Sequence, residues 1–200
     1  MVSGKSSSKV SHPMKSLIPR LPLTALIYSV AVASVFAADP AEVAAHSKSY
    51  TAAGEEILAM VNSKKVDAEA VVKKTDTMVA DGIWIAEEYL KLKPEASKWF
   101  KAVFEKIPDI KKMPYEEIEK NWHDGHHFDG KEKEIGINHQ DEKNEHFRDP
   151  LDSVTHALLI QCSAKDFGAK KDEESLKRMK SDVAEGLEQF KKAVAVVAKK

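Results

Sequence analysis

Between residues 172 and 198, Leu176, Met179, Val183, Leu187, Phe190, Val194 and Val197 recur at steps of 3, 4, 4, 3, 4 and 3. At 3.6 residues per turn those steps keep the apolar side chains on one stripe. The stretch therefore predicts an amphipathic α-helix whose stripe has to be buried against other elements. Comparable helices can be read upstream. In Asp39-Pro40-Ala41-Glu42 a capping carboxylate precedes a proline at the first helical position, and an acid faces the positive end of the helix dipole. The helix it opens carries Val43, Tyr50, Ile57 and Val61 on one stripe and is expected to end near Asn62-Ser63. Asp67 caps a second helix to about Lys93. There Val71, Met78 and Ile85, with Val72, Val79, Ala86 and Leu90, make a broad apolar face until Pro94 stops it.

Shorter helices are expected over 94–105 and 114–123, separated by Ile107-Pro108-Asp109. Asp149-Pro150-Leu151-Asp152 repeats the Asp-Pro-x-acid opening and predicts a helix to about Phe167. Four long helices, two short ones and no strand-like alternation predict an all-α protein. The expected architecture is an up-and-down helical bundle with a long His/Asp-rich ordered loop. No internal repeat of roughly 20 to 50 residues is present.

Ahead of the helices, residues 14–20 supply positive charge, and residues 21–36 run for 16 positions without a charged side chain. Val35-Phe36-Ala37 then puts small residues where a signal peptidase reads. The expectation is a secretory signal peptide over 1–37, or 14–37 if Met14 is the start, cleaved after Ala37. It would release one domain over 38–200 into the periplasm or the extracellular space. The uncharged run falls short of the roughly 20 residues that span a bilayer, Pro22 interrupts its start, and no second long apolar run follows. No stable membrane span is expected once the leader is removed.

The leader holds Lys5, Lys9, Lys15 and Arg20 and no acid, leaving 27 Lys+Arg against 32 Asp+Glu, a net charge of −5. A mildly acidic domain with interspersed charges predicts no nucleic-acid partner. Cys162 is the only cysteine, so no internal disulfide framework forms. In Ala157-Leu158-Leu159-Ile160-Gln161-Cys162 it reads as a small buried hydrophobe, with an intermolecular disulfide or a soft metal ligand as alternatives. No Cys-x-x-Cys-His occurs, which excludes covalent c-type haem.

His123, His126, His127, His139 and His146, five of the eight histidines, fall within 24 residues. Neither helix formation nor packing concentrates histidine in this way. Its imidazole nitrogens bind borderline metals, and Asp124, Asp129, Asp141 and Asp149 add oxygen donors. The expected function is an exported bundle protein binding a divalent transition metal (Cu, Zn, Ni or Fe) through the 123–146 segment. The candidate ligands are His123, His126, His127, Asp129, His139, Asp141 and His146. His123-x-x-His126 sets two imidazoles on one side of a helical turn, and Gly125 and Gly130 let the chain bend around a ligand. The spacing matches neither His-Glu-x-x-His nor the Glu-x-x-His pairs of di-iron bundles.

The alternative is a structural or protein-interaction domain without metal, whose histidines and acids cap helices and bond locally; pH sensing is a third reading. Trp122, Phe128, Ile135, Ile137 and Phe147 predict an ordered segment pinned to the bundle. His46 and His156 read as core or boundary histidines, with Asp152 one turn from His156 to hold its tautomer. Were either ring to face the interior, b-type haem held with Met60 or Met78 is a minor alternative. No nucleophile elbow, phosphate loop or Ser/His/Asp set assigns an enzyme class. Hydrolysis at a metal held by three protein ligands is the enzymatic route the residues allow.

Overall fold

Asp39 and Asp67 both hold extended backbone ahead of a helix. The Asp39 carboxylate accepts from the Ala41 amide at 2.9 Å, and that of Asp67 from the Glu69 and Ala70 amides at 3.0 and 3.2 Å. These bonds satisfy amides that a helix start otherwise leaves bare. They open α1 (Pro40–Asn62) and α2 (Ala68–Leu92) in a computed structural model that describes residues 38–199. The leader expected over 1–37 lies outside the described residues.

After Pro94 the chain turns through a 3-10 turn (Pro94–Ala96), α3 (Ser97–Phe104), α4 (Ile107–Ile110) and α5 (Tyr115–Ile118). A π turn (Glu119–His123), a 3-10 turn (His126–Phe128), α6 (Glu132–Ile135) and a 3-10 helix (Glu142–Phe147) follow. Then come α7 (Arg148–Lys170) and α8 (Glu173–Val197), the latter capped by Asp172, which accepts from the Ser175 amide at 2.8 Å. No strand occurs among the described residues.

Long-range contacts give the direction of each helix. Glu56 with Lys74, and His46 with Asp81 at 2.7 Å, run α1 against α2. Gln161 with Asp76 at 2.9 Å, and the Tyr89 hydroxyl with the His146 carbonyl at 3.0 Å, run α2 against α7. Tyr50 stacks on Phe190 with ring centroids 3.8 Å apart, and Gly186 lies against His156. The four long helices thus form an up-down-up-down ring in the order α1, α2, α7, α8. Ile57, Met78, Ile85, Leu158, Ile160, Met179, Val183 and Phe190 fill its centre.

The middle of the chain differs from expectation in three places. Ile107-Pro108-Asp109, expected to separate two helices, itself forms α4, where proline is tolerated in a first turn. The expected loop is a chain of single helical turns, bent where Gly125, Gly130 and Gly136 take φ of +85°, +74° and +79°. Its apolar residues Trp122, Phe128, Ile135, Ile137 and Phe147 are all buried, as the expectation of order required. Finally, α7 starts at Arg148 with no side-chain cap, because the preceding 3-10 helix runs straight into it. Asp149 and Pro150 lie inside its first turn.

Packing dominates over capping in this bundle. Phe190→Ala is expected to cost about 3–5 kcal/mol and Asp67→Ala about 1 kcal/mol, read as unequal falls in the urea unfolding midpoint.

Candidate metal centre

Helix α7 is buried along most of its length yet carries Asp152, Ser153, Thr155, His156, Gln161 and Ser163 in its buried part. Such groups usually take a partner, and all but Ser163, whose buried Oγ has none, lie near one among the described residues. Ser153 and Thr155 donate back to the Pro150 and Leu151 carbonyls at 2.8 and 3.0 Å. The Gln161 amide reaches Thr75 Oγ1 at 3.2 Å and Asp76 Oδ1 at 2.9 Å on α2. The Ser153 carbonyl accepts from the Tyr50 hydroxyl at 2.7 Å, and burial drives the Tyr50 pKa far upward, keeping the phenol protonated.

His156 turns the other way, toward α8. Its Nδ1 lies 3.4 Å from Asp182 Oδ1 and its Nε2 3.7 Å from Glu185 Oε2. The Tyr115 hydroxyl donates to the same Asp182 oxygen at 3.3 Å. Burial pushes the Asp182 carboxyl up, while His156 and Tyr115 pull it back toward ionisation. Gly186 makes the close approach feasible: a Cβ there would lie 3.0 Å from His156 Cβ and 3.2 Å from the Tyr50 hydroxyl oxygen.

His123 arrives from the other side, at the end of the π turn, where the Asp124 amide bonds the Glu119 carbonyl at 2.8 Å. Such turns recur at functional sites. Arg148 Nη2 holds the His123 carbonyl at 2.9 Å. The His123 ring stands 4.7 Å from that of His156, centroid to centroid, and its Nδ1 lies 3.2 Å from Asp124 Oδ1. His123, His156 and Glu185 each offer one ligand atom, all mutually within 4.8 Å. Both imidazoles meet a carboxylate at Nδ1, which favours the tautomer that leaves Nε2 bare for a ligand. His156 is buried, whereas the Glu185 side chain is 52% exposed, so the centre opens to solvent on the α8 side.

Of the seven residues expected as ligands, His123 alone enters this group. His126 Nδ1 lies 2.9 Å from Asp129 Oδ2, and the other Asp129 oxygen accepts from Gln140 at 2.7 Å. The His126 contact is the first cause holding Asp129 below the usual carboxylate range. His127 stacks on Trp122 with centroids 4.2 Å apart, and burial, then Lys131 and Lys106, lower its pKa. His139 is buried against Trp99 and Phe128. Asp141 caps the 3-10 helix through the Lys143 amide at 3.1 Å and pairs with the Lys143 ammonium at 2.8 Å. His146 is exposed, its ring 4.0 Å from that of Phe147.

The sequence reading placed His156 among core histidines, and burial agrees, but its carboxylate partner is Asp182 on α8 rather than Asp152. Glu185 was missed, being one acid among many on α8. Gly186 beside it, an unusual residue mid-helix, was the available signal. No family model matches the chain, and neither a curated protein nor a solved structure does.

Asp152 sits beside this group. Burial raises its pKa to about 6 from 3.8, with His123 and then Arg148 opposing the rise. Because the folded state holds the proton more tightly, this carboxyl contributes stability that is complete below about pH 4 and lost as pH rises through 6. With chelator present, Asp152→Asn is expected to abolish a stability change of up to about 3 kcal/mol across that window, measured by urea unfolding at stepped pH.

Proposed function

We propose that this is an exported helical-bundle protein that binds a divalent transition metal through His123, His156 and Glu185. The observation that carries the reading is the convergence of three side-chain donors from three separate elements within 4.8 Å. Two borderline nitrogen donors and one carboxylate suit Zn(II), Fe(II), Cu(II) or Ni(II) better than Ca(II) or Mg(II). Three protein ligands leave a coordination position open, so the bound ion can exchange or take a further ligand. The metal therefore rests on one residue of the histidine-rich segment and two of the bundle.

The ordinary test is isothermal titration of the full-length chain with Zn(II), Cu(II), Ni(II) and Fe(II). One ion should bind. His156→Ala should abolish binding, Glu185→Gln, altered at an exposed position, should weaken it, and Asp182→Asn should weaken it by roughly 10–100-fold. The His126→Ala/His127→Ala double variant should bind as the parent does. Equal affinity in the parent and Glu185→Gln would remove the carboxylate from the site, and equal affinity in His156→Ala would end the reading.

Export is supported by the basic, apolar and small-residue order of the leader and by Asp39 capping α1 two residues beyond the expected cleavage. Protein recovered from the exported fraction should begin at Ala38 on N-terminal sequencing. A chain retained in the cell with residues 1–37 intact would refute this half of the proposal.

A second reading, an interaction domain without metal, draws on two observations. His126, His127 and His146 are engaged locally with Asp129, Trp122 and Phe147. In addition, an apolar groove of about 580 Å³ lies between the start of α1 and the end of α8, lined by Pro40, Val43, Ala44, Val194 and Val197. The same titrations separate the two readings, since this one expects no specific metal uptake.

A further inference from the structure

Tyr115 opens α5 with its side chain buried beneath Arg178, whose guanidinium carbon lies 4.4 Å from the ring centroid. Arg178 is held there by Glu116 at 3.0 Å and Glu174 at 3.3 Å. The ring is thus covered on one face, and its hydroxyl reaches Asp182 Oδ1 at 3.3 Å. Burial first, then the charges of Asp182 and Glu119, drives the Tyr115 pKa far upward. The phenol keeps its proton and meets the carboxylate as a donor. Asp182 is itself buried, and its other oxygen, Oδ2, has no partner. Both contacts of this carboxylate therefore fall on Oδ1, one from the Tyr115 hydroxyl and one from His156 Nδ1 at 3.4 Å. Without the hydroxyl, His156 alone would orient a buried carboxylate.

Tyr115 also lies on the run of chain that carries the other imidazole. Helix α5 (Tyr115–Ile118) passes without a break into the π turn (Glu119–His123), and both pack on α7. One short coil therefore bonds α8 at its start, through the Tyr115 hydroxyl, and delivers His123 at its end. The first link bears on His156 by way of Asp182, and the second is a donor of the centre itself. Both imidazoles are thus referred to one segment.

We propose that Tyr115 is a positioning residue of the metal centre: its hydroxyl, donated to Asp182 Oδ1, holds the carboxylate that keeps the His156 ring protonated at Nδ1 and bare at Nε2. The role rests on the reading of His123, His156 and Glu185 as metal ligands. Tyr115 touches no ligand of the ion directly. Its effect passes through Asp182, so it vanishes when that carboxylate is removed.

The test is a double-mutant cycle. Zn(II) affinity is measured by isothermal titration of the full-length parent, Tyr115→Phe, Asp182→Asn and the pair. Phenylalanine keeps the ring beneath Arg178 and removes only the donor. Tyr115→Phe should weaken Zn(II) binding about three- to tenfold in the parent background and not at all in Asp182→Asn. Tyr89→Phe, which loses a hydroxyl bonded to the His146 carbonyl at 3.0 Å, should bind as the parent does. A second readout needs no metal: nitrogen NMR of the chelator-treated chain should show His156 protonated at Nδ1 in the parent and spread over both tautomers in Tyr115→Phe. Unchanged affinity in Tyr115→Phe, equal weakening in both backgrounds, or an unchanged His156 tautomer overturns this role and leaves the metal centre standing. A parent that binds no Zn(II) overturns it too; if Cu(II), Ni(II) and Fe(II) are also refused, the metal reading falls with it.

Discussion

The register of this bundle depends on the few polar groups of α7 that take partners from its neighbours: the Ser153 carbonyl, His156 and Gln161. A helix surrounded by other elements normally carries apolar residues throughout, but α7 buries Asp152, Ser153, Thr155, His156, Gln161 and Ser163. Leaving such groups unpaired costs on the order of 1–3 kcal/mol each, comparable with a sizeable part of a domain's total stability. Each neighbour supplies its partners at one height. Tyr50 of α1 meets the Ser153 carbonyl, Thr75 and Asp76 of α2 meet Gln161, and Asp182 of α8 meets His156. A slide of one turn along any neighbour would leave its apolar stripe near the core but strand its polar contact. Hydrophobic burial gathers the four helices, and the polar contacts select their register.

That division explains what could be read from the sequence. Helix ends were legible where a side chain and its amide partners lie within three residues, as at Asp39 and Asp67. The α8 stripe was legible because its period is local, and Met179, Val183 and Phe190 from it are buried. Asp149-Pro150 misled for a related reason. The motif resembles an N-cap only when the chain arrives extended, and here the 3-10 helix of 142–147 arrives already coiled. The local signal was correct chemistry in the wrong backbone.

The centre was less legible because its members are brought together only by the register of the bundle. His123 lies 33 positions from His156 and Glu185 a further 29 beyond, distances over which no periodicity speaks. The density of histidine in 123–146 pointed to one member of this donor group, His123, and mixed several uses of the residue. One imidazole joins the donor group, one stacks on Trp122, one pairs with Asp129 and one is sealed beneath Trp99. Composition cannot separate these, because the same ring serves as donor, acceptor, stacking surface and ligand.

The placement of the three donors carries a mechanical consequence. His156 and Glu185 ride on α7 and α8, which are held along their length, whereas His123 rides on a chain of single turns anchored by Trp122, Phe128 and the Arg148 contact to its own carbonyl. Short helical turns have little intrinsic stability and depend on such anchors. An ion held at this point would therefore cross-link the least self-sufficient part of the fold to the most rigid. Its binding free energy would add to the stability of the segment rather than to that of the helices beneath it. The carbonyl that Arg148 grips is also one residue from Asp124, the carboxylate at His123 Nδ1. The orientation of the His123 ring and the position of its backbone are thus set by adjacent links of one short chain, so a disturbance at Arg148 is felt first at His123.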